Sequence, residues 1–441
     1  METYQRLVFS SVQKELESPK VSLIIGARQV GKTTLIGQII SQLPEEQWVS
    51  YNADDSLFRA ALERDPKWLQ RDLEARWGMP FKSLIERKIV VIDEIQKCPL
   101  LFEVVKIWYD NKYPVKVLAS GSSSLEIQKK NAESLAGRSF VTRLFPFCLT
   151  ELVKNEQQIF ASPCAEMLRG KLSEEKLREC QQQLYPHREA ILRSLENLLI
   201  LGGLPEVVST QNIDAKHKLI KNMITTYLEK DIRTLSTIAS ESDFVRSFEL
   251  ISTAHGQLVT LSEMASEVGI NRATLKKYLA IMEATFVVTA LPSLQKKARK
   301  SQVKSEKIFV YDNGIVNFFG HVDRLEHLIQ SNAIGSCLEQ IFLMNVLAQR
   351  ELSSFPPQLR YFRDYERHEI DFVLEQKGRF LPIEITYQTK VAPEKWRNLK
   401  HFLGSFGKTT SQAVFFARVE HMEVKRFEGK EVFILPLWMM V

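Results

Sequence analysis

Residues 26–33 read Gly-Ala-Arg-Gln-Val-Gly-Lys-Thr, a G-x-x-x-x-G-K-T pattern without a mismatch. These residue types at this spacing serve phosphate chemistry. Gly26 and Gly31 let the backbone turn its N–H groups inward. The amides of Gly26, Ala27, Arg28, Gln29, Val30, Gly31, Lys32, Thr33 and Thr34 can then cradle a phosphate chain. A helix starting near Lys32 points the positive end of its dipole at the same place. Lys32 reaches the β- and γ-phosphates, and Thr33 offers its hydroxyl to Mg²⁺. The ligand so selected is a nucleoside triphosphate with Mg²⁺, expected to be ATP.

A second cluster lies sixty residues on. Ile89-Val90-Val91-Ile92 is a run of apolar, mostly β-branched residues suited to a parallel strand buried on both faces, and it ends in Asp93-Glu94. Carboxylates at the end of a core strand need a partner. Asp93 can bind the Mg²⁺ that Thr33 also holds, and Glu94 can orient or deprotonate an attacking water. The next apolar run, Val115-Lys116-Val117-Leu118-Ala119, leads into Ser120-Gly121-Ser122. Hydroxyls there can sense a γ-phosphate, Ser120 before Ser122, or simply make a turn.

Such groups must be carried by a sheet. Val21–Ile25 precedes the glycine loop as a strand, and Thr34–Ile40 follows it as a helix, the context a phosphate loop requires. Trp48–Tyr51 reads as another strand, and the Asp54-Asp55 pair after it as a helix cap. The alternation over residues 1–153 predicts a parallel sheet with helices on both faces. Residues 154–235 are read as helical, completing this module. One helix is opened by Ser173, and a second runs from Arg188 to about Leu201, stopped by Gly202-Gly203-Leu204-Pro205.

Residues 236–312 are read as a winged helix-turn-helix. Thr260–Glu267 is a short helix with Ser262 as its expected cap, Val268-Gly269-Ile270 a turn, and Asn271 the cap of a longer helix from Arg272 to about Glu283. Leu275, Leu279 and Met282 share one face of it, while Arg272, Thr274, Lys276 and Lys277 decorate the rest. Apolar runs at 285–289 and 307–311 are the expected wing strands. Lys296, Lys297, Arg299, Lys300, Lys304 and Lys307 between them could meet DNA phosphates, or form a solvated hairpin.

Residues 313–441 return to α/β alternation. Glu339 lies on a helix beginning at Ile334. Asp371 lies in the strand Glu369–Leu374, and Glu384 in the strand Phe380–Thr386. Helix Glu, strand Asp, hairpin, strand Glu resembles the carboxylate layout of the PD-(D/E)XK nuclease fold. There the acids hold a metal and a lysine two residues beyond the last acid activates water. Thr386 occupies that position here, so Glu339, Asp371 and Glu384 are at most a weak second metal site, with Gln388 or Lys390 as stand-ins. DNA cleavage is not expected.

Further motifs occur in order: Val91–Gln96, Ser134-Leu135-Ala136-Gly137-Arg138, Leu144-Phe145-Pro146-Phe147, Gly202–Pro205, Tyr227–Ile232 and Tyr311-Asp312-Asn313-Gly314. With the glycine loop and the helix-turn-helix, they resemble prokaryotic AAA-type ATPases that carry a C-terminal domain of unassigned function similar to a PD-(D/E)XK nuclease. The resemblance implies an α/β fold with an AAA-type P-loop core, a winged-helix middle and a restriction-endonuclease-like tail. It also matches Arg138 to the group's Ala-Gly-Arg segment. An arginine there contacts a phosphate in cis, does so from a neighbouring subunit of a homo-oligomer, or pairs with an acid.

The chain has 441 residues, 44% of them apolar and 25% charged, which is a globular composition sized for several domains. No apolar run approaches the length of a membrane span. Five scattered cysteines without a C-x-x-C pair argue against a zinc framework and suit a reducing cytoplasm. A net charge of +6 permits nucleic-acid binding without arguing for it. The expected activity is Mg²⁺-dependent ATP hydrolysis coupled to movement of the winged helix and tail. The rivals are an ATP-controlled DNA-binding or DNA-processing protein, and a nucleotide-gated scaffold for a protein partner with little turnover.

Overall fold

Strand β1 (Val21–Ile25) is buried at every position, as is β4 (Val115–Gly121), and residues without polar side chains fill most of both. In the computed structural model these strands lie side by side in a parallel five-stranded sheet, with β2 (Trp48–Asn52), β3 (Lys88–Asp93) and β5 (Ser139–Arg143), in the order β2-β3-β4-β1-β5. The structure describes residues 4–122, 134–170, 172–228, 240–294 and 306–441. Helix α1 (Lys32–Ile40) packs Leu35, Ile36 and Ile39 onto Ile24, Ile89, Val91 and Leu118 of the sheet. Asp55 caps the helix Ser56–Arg64, its Oδ1 accepting the Leu57 N–H at 2.8 Å. Helix α2 (Leu100–Asp110) precedes β4.

The chain divides into two compact units. One comprises Gln5–Phe145 with Ala284–Phe286. The other comprises Met1–Tyr4, Pro146–Glu283 and Val287–Val441.

The second unit begins with helices. Ser173 caps one of them, as its sequence suggests, and α3 (Arg188–Leu201) ends at Gly202. The Tyr311-Asp312-Asn313-Gly314 motif closes this end. Asn313 donates to Leu198 O at 3.3 Å, and Asn317 donates to Leu199 O and Ile200 O, both at 2.8 Å. These carbonyls have no partner inside the helix. Asp312 accepts the Gly203 N–H at 2.7 Å and the Gly314 N–H at 2.9 Å. Gly202 has φ +75°, and a Cβ there would fall 1.9 Å from Asp312 Oδ1, so only glycine fits.

Helices α4 (Glu241–Thr253), α5 (Leu261–Val268) and α6 (Arg272–Ala284) accompany a small antiparallel sheet of β6 (Gln257–Val259), β8 (Glu306–Val310) and β7 (Val288–Leu291). Gly269, at φ +85°, turns the chain between α5 and α6, and Asn271 accepts the Thr274 N–H at 2.8 Å. Leu275, Leu279 and Met282 are buried together. Two expectations shift. Thr260, not Ser262, occupies the cap of α5, and without a side-chain bond. Strand β7 starts at Val288 rather than 285, after Phe286 takes a positive φ of 57°.

The C-terminal part is a mixed six-stranded sheet in the order β13-β14-β12-β11-β10-β9. Its strands are β9 (Gln358–Arg363), β10 (Glu369–Gln376), β11 (Arg379–Ile385), β12 (Gln412–Ala417), β13 (Glu423–Phe427) and β14 (Lys430–Pro436). Helix α7 (Ile334–Arg350) precedes it, and α8 (Pro393–Phe406) lays Leu399, Phe402 and Leu403 on Ile370, Val373, Phe415 and Ile434.

Candidate nucleotide-binding site

The glycine loop leaves β1 at Gly26 and enters α1 at Lys32. Gly31 takes φ +91° as the N-terminal cap residue of α1, and Gln29 before it takes φ +61°. A Cβ at Gly26 would lie 2.2 Å from Leu144 O, so the loop passes too close to its neighbour for any side chain there. Val30 is wholly buried in the core beneath the loop, which leaves only its backbone to face a ligand. Thr33 and Thr34 are exposed at the first turn of α1, and Ala27 and Arg28 are half-buried. Lys32 is buried with its ammonium on the loop's own carbonyls, 3.1 Å from Gly26 O and 2.8 Å from Ala27 O. A phosphate entering the cradle meets this charge already in place.

The strand order explains what faces the loop. Because β4 lies between β1 and β3, Ser120 near the end of β4 stands beside Asp93 at the end of β3. Asp93 Oδ2 accepts from Thr33 Oγ1 at 3.0 Å, and Ser120 Oγ donates to Asp93 Oδ1. The Glu94 N–H donates to Ser120 Oγ at 3.2 Å. Thr33, Asp93 and Ser120 therefore meet at the mouth of the loop. Their donors are hard oxygens, and the 3.0 Å between Thr33 Oγ1 and Asp93 Oδ2 is near the ~2.9 Å between adjacent ligands of an octahedral Mg²⁺ site. The residues present fit Mg²⁺.

Glu94 sits just past the strand with φ +54°, an uncommon conformation for a residue with a side chain. Its carboxylate is held by Ser122 Oγ at 2.9 Å and by the Gln96 amide, which also donates to Ser122 Oγ at 3.0 Å. Ser123 and Ser124 lie outside the described residues.

Arg138 is not assembled with this group. Its carbonyl accepts the Val21 N–H at 2.9 Å, which puts it at the start of β1, whereas the loop leaves the other end. Five residues of strand separate them by about 16 Å. The guanidinium pairs instead with Asp110 at the end of α2, with N···O distances of 2.7 and 3.3 Å. These hydrogen bonds raise its pKa further. Of the alternatives for Arg138, the geometry within the chain favours the acid pair.

Sequence reasoning missed Arg6. Its buried guanidinium donates to Val30 O at 3.1 Å and to Phe145 O, bracing the loop from below. An isolated arginine twenty residues before the motif carries no signal of that role.

The second carboxylate group also converges, but around lysines. Asp371 on β10 and Glu384 on β11 are opposite one another, one step from the Phe372–Ile383 pair, where β10 is bulged against β9. A lysine does stand beside these acids, but it comes from α8: Lys395 Nζ lies 2.8 Å from Asp371 Oδ2 and is bonded to Glu384 Oε2. Neither Gln388 nor Lys390, both exposed, does so. Lys307 lies 2.7 Å from Glu339 and 2.9 Å from Glu369. Its side chain is 3% exposed, so it is withdrawn from the basic stretch expected to meet DNA; residues 296–304 of that stretch lie outside the described residues. Burial alone would lower the pKa of either lysine, but the surrounding carboxylates outweigh it and raise both. Burial, with Asp371 beside it, pushes the Glu384 carboxyl well up; Asp371 is drawn down against burial by Lys395 and Lys307. Burial also lifts Glu339 to about 7. Lys395 and Lys307 thus supply counter-charges to these acids within the chain.

Comparison with known proteins finds three family models along the chain. Residues 18–153 match the family model described as AAA domain. Residues 192–326 match a domain of unknown function (DUF8612), and residues 334–439 another (DUF4143). The uncharacterized protein Rv2008c of Mycobacterium tuberculosis is 25% identical over 375 residues, covering 85% of this chain and 72% of that protein. The uncharacterized protein MJ1544 of Methanocaldococcus jannaschii is 20% identical over 389 residues, covering 87% and 78%. Among solved structures, the Walker-type ATPase PABY2304 of Pyrococcus abyssi has a TM-score of 0.43 at 14% identity, covering 72% of this chain and 96% of that one. AMPPCP-bound DnaA of Aquifex aeolicus has a TM-score of 0.26 at 14% identity, covering 63% and 87%. Among the described residues no helix is long and apolar enough to cross a membrane. Residues 18–153 thus match the AAA domain model and carry the parallel sheet and glycine loop of a P-loop fold.

Proposed function

We propose that this protein hydrolyses Mg²⁺-ATP at the glycine loop and that the nucleotide state is coupled to movement of the C-terminal unit. The observation that carries the reading is the meeting of Thr33, Asp93 and Ser120 at the mouth of the loop. Lys32 and the loop amides bind the phosphates, and Lys32 exchanges its two carbonyl partners for phosphate oxygens. Thr33 and Asp93 hold Mg²⁺, which when bound offsets the charge on the phosphate oxygens. Glu94 orients or deprotonates the attacking water once Ser122 and Gln96 release it. Ser120 fixes Asp93 and the Glu94 backbone together, so it positions both acids. Arg138 has no part in cis in this reading.

The coupled movement is a nucleotide-dependent switch of the kind P-loop proteins use. Its partner is DNA or protein. Exposed Arg272, Lys276 and Lys277 on α6 support a winged-helix contact with DNA, whereas the burial of Lys307 removes one expected contributor. The test is steady-state ATP hydrolysis with and without Mg²⁺ and duplex DNA, with Glu94→Gln as control. Hydrolysis that needs Mg²⁺ and is lost in the variant is expected. Turnover that survives Glu94→Gln overturns the assignment of the base. Stimulation by DNA supports the nucleic-acid partner, and indifference to it directs the search to a protein. Binding without measurable turnover in the wild type would favour the scaffold reading.

A further inference from the structure

The turn between β9 and β10 brings together donors that neither the ATPase site nor the lysine-filled acid cluster uses. Asp364 and His368 lie at its two ends, and His401 of α8 stands against them. The two imidazoles are stacked with centroids 3.4 Å apart and planes 14° from parallel. Asp364 Oδ2 lies 2.9 Å from His368 Nδ1 and 3.9 Å from His401 Nδ1. Glu366 Oε2, on the same turn, is 3.8 Å from the first nitrogen and 3.9 Å from the second. One ligand atom from each of Asp364, His368 and His401 lies within 4.8 Å of the other two.

We propose that Asp364, His368 and His401 form a site for a divalent transition ion of the zinc class, with Glu366 or water as fourth ligand. The donor set decides the class. Two imidazole nitrogens with one or two carboxylates suit Zn²⁺ and its neighbours, whereas Mg²⁺ and Ca²⁺ prefer all-oxygen shells. Two carboxylates match the charge of a divalent ion. In a tetrahedral site with bonds of about 2.0–2.1 Å, ligand atoms are about 3.3 Å apart. The observed 2.9, 3.8 and 3.9 Å spacings bracket that value, and the stacked rings must turn apart for both ring nitrogens to aim at one ion.

The backbone prepares the site. Asp364 Oδ1 accepts the His368 N–H at 2.9 Å, the Asp364 N–H bonds His368 O at 3.1 Å, and Arg367 turns the chain at φ +68°. This leaves Asp364 Oδ2 directed at the rings. The site is open to an entering ion, with side chains 13% exposed at His368, 27% at Asp364 and 39% at His401. Its ligands come from a turn and from a separate helix, so a bound ion cross-links the two. Helix α8 also carries Lys395, so the ion fixes the element that neutralises Asp371 and Glu384.

The test uses the full chain, freed of tags and stripped with a chelator. Titration with Co²⁺ should give one ion per chain with the strong visible absorption of four-coordinate cobalt, displaced by Zn²⁺. His368→Ala and His401→Ala should each weaken binding at least about tenfold. Pulsed electron paramagnetic resonance of the wild type loaded with one Cu²⁺ should count two imidazole ligands, which needs no variant to fold. No saturable binding, equal binding by the His368→Ala/His401→Ala double variant, or fewer than two imidazoles on Cu²⁺ would overturn the proposal.

Discussion

Ser122 Oγ lies 2.9 Å from Glu94 Oε2, the carboxylate that faces the attacking water in our reading, and the Gln96 amide bonds the same oxygen. Glu94 is thus restrained before nucleotide arrives. Each restraint must break for the carboxylate to turn to water, and a hydrogen bond to a charged group is worth about 1.5–3 kcal/mol. Ser122→Ala should therefore raise kcat for ATP by about tenfold or more, and Gln96→Ala likewise. The affinity for nucleotide should not change. Steady-state hydrolysis and a fluorescent-nucleotide titration measure the two quantities; a fall in kcat would show that these residues position Glu94 productively instead.

Arg6 braces the loop through Val30 O and Phe145 O from a buried position. Arg6→Met keeps the apolar stem and leaves both carbonyls without that donor, at a cost of about 1–3 kcal/mol each. The expected outcome is a lower melting temperature and weaker ATP binding together, with Lys32, Thr33 and Asp93 untouched. Unchanged ATP affinity in a destabilised variant would make the role of Arg6 purely structural.

Lys395 compensates Asp371 and Glu384, whose side chains are only 8% and 2% exposed. Lys395→Met leaves two buried carboxyls facing one another, which costs about 3–5 kcal/mol when a buried pair is broken this way. Without the ammonium the acids favour their protonated forms more strongly. The native state then binds more protons than the unfolded chain, so stability falls as pH rises. Denaturant unfolding of variant and wild type should differ more at pH 8 than at pH 5. A difference independent of pH would contradict the charge account.

His255 is fully enclosed, its Nδ1 accepting the Val310 N–H at 3.0 Å beside the edge of Phe309. Burial, seconded by the charge of Lys307, lowers its pKa from 6.5 to about 3. Between these values the unfolded chain takes up a proton that the native state refuses. Stability is therefore present above about pH 6.5 and is lost as pH falls, by roughly 3 kcal/mol over two units. His255→Asn, which keeps an acceptor for Val310, should flatten the slope of unfolding free energy between pH 6.5 and 4.5. Equal slopes would mean that other groups set the acid response.

How much of this was legible beforehand depends on the range of the interaction. The placement of Gly26–Thr33, Asp93 and Glu94 could be read from the sequence because it follows from local patterns: a strand, a glycine turn, a helix start, and acids ending a hydrophobic run. The helices around Gly269 and Asn271 were legible for the same reason, as hydrophobic spacing and capping act within a few residues. The cap of α5 and the start of β7 slipped because neighbouring hydroxyls and β-branched residues offer equal local choices. Tertiary structure alone decided the rest. Placing β4 between β1 and β3 set Ser120 on Asp93, and the parallel course of β5 carried Arg138 to the far edge, onto Asp110. Lys395 entered the acid cluster from a helix eleven residues past Glu384, and His401 met His368 from that same helix. Charges and rings pair by proximity in space, and the order of residues along the chain does not encode that proximity until the sheet is built.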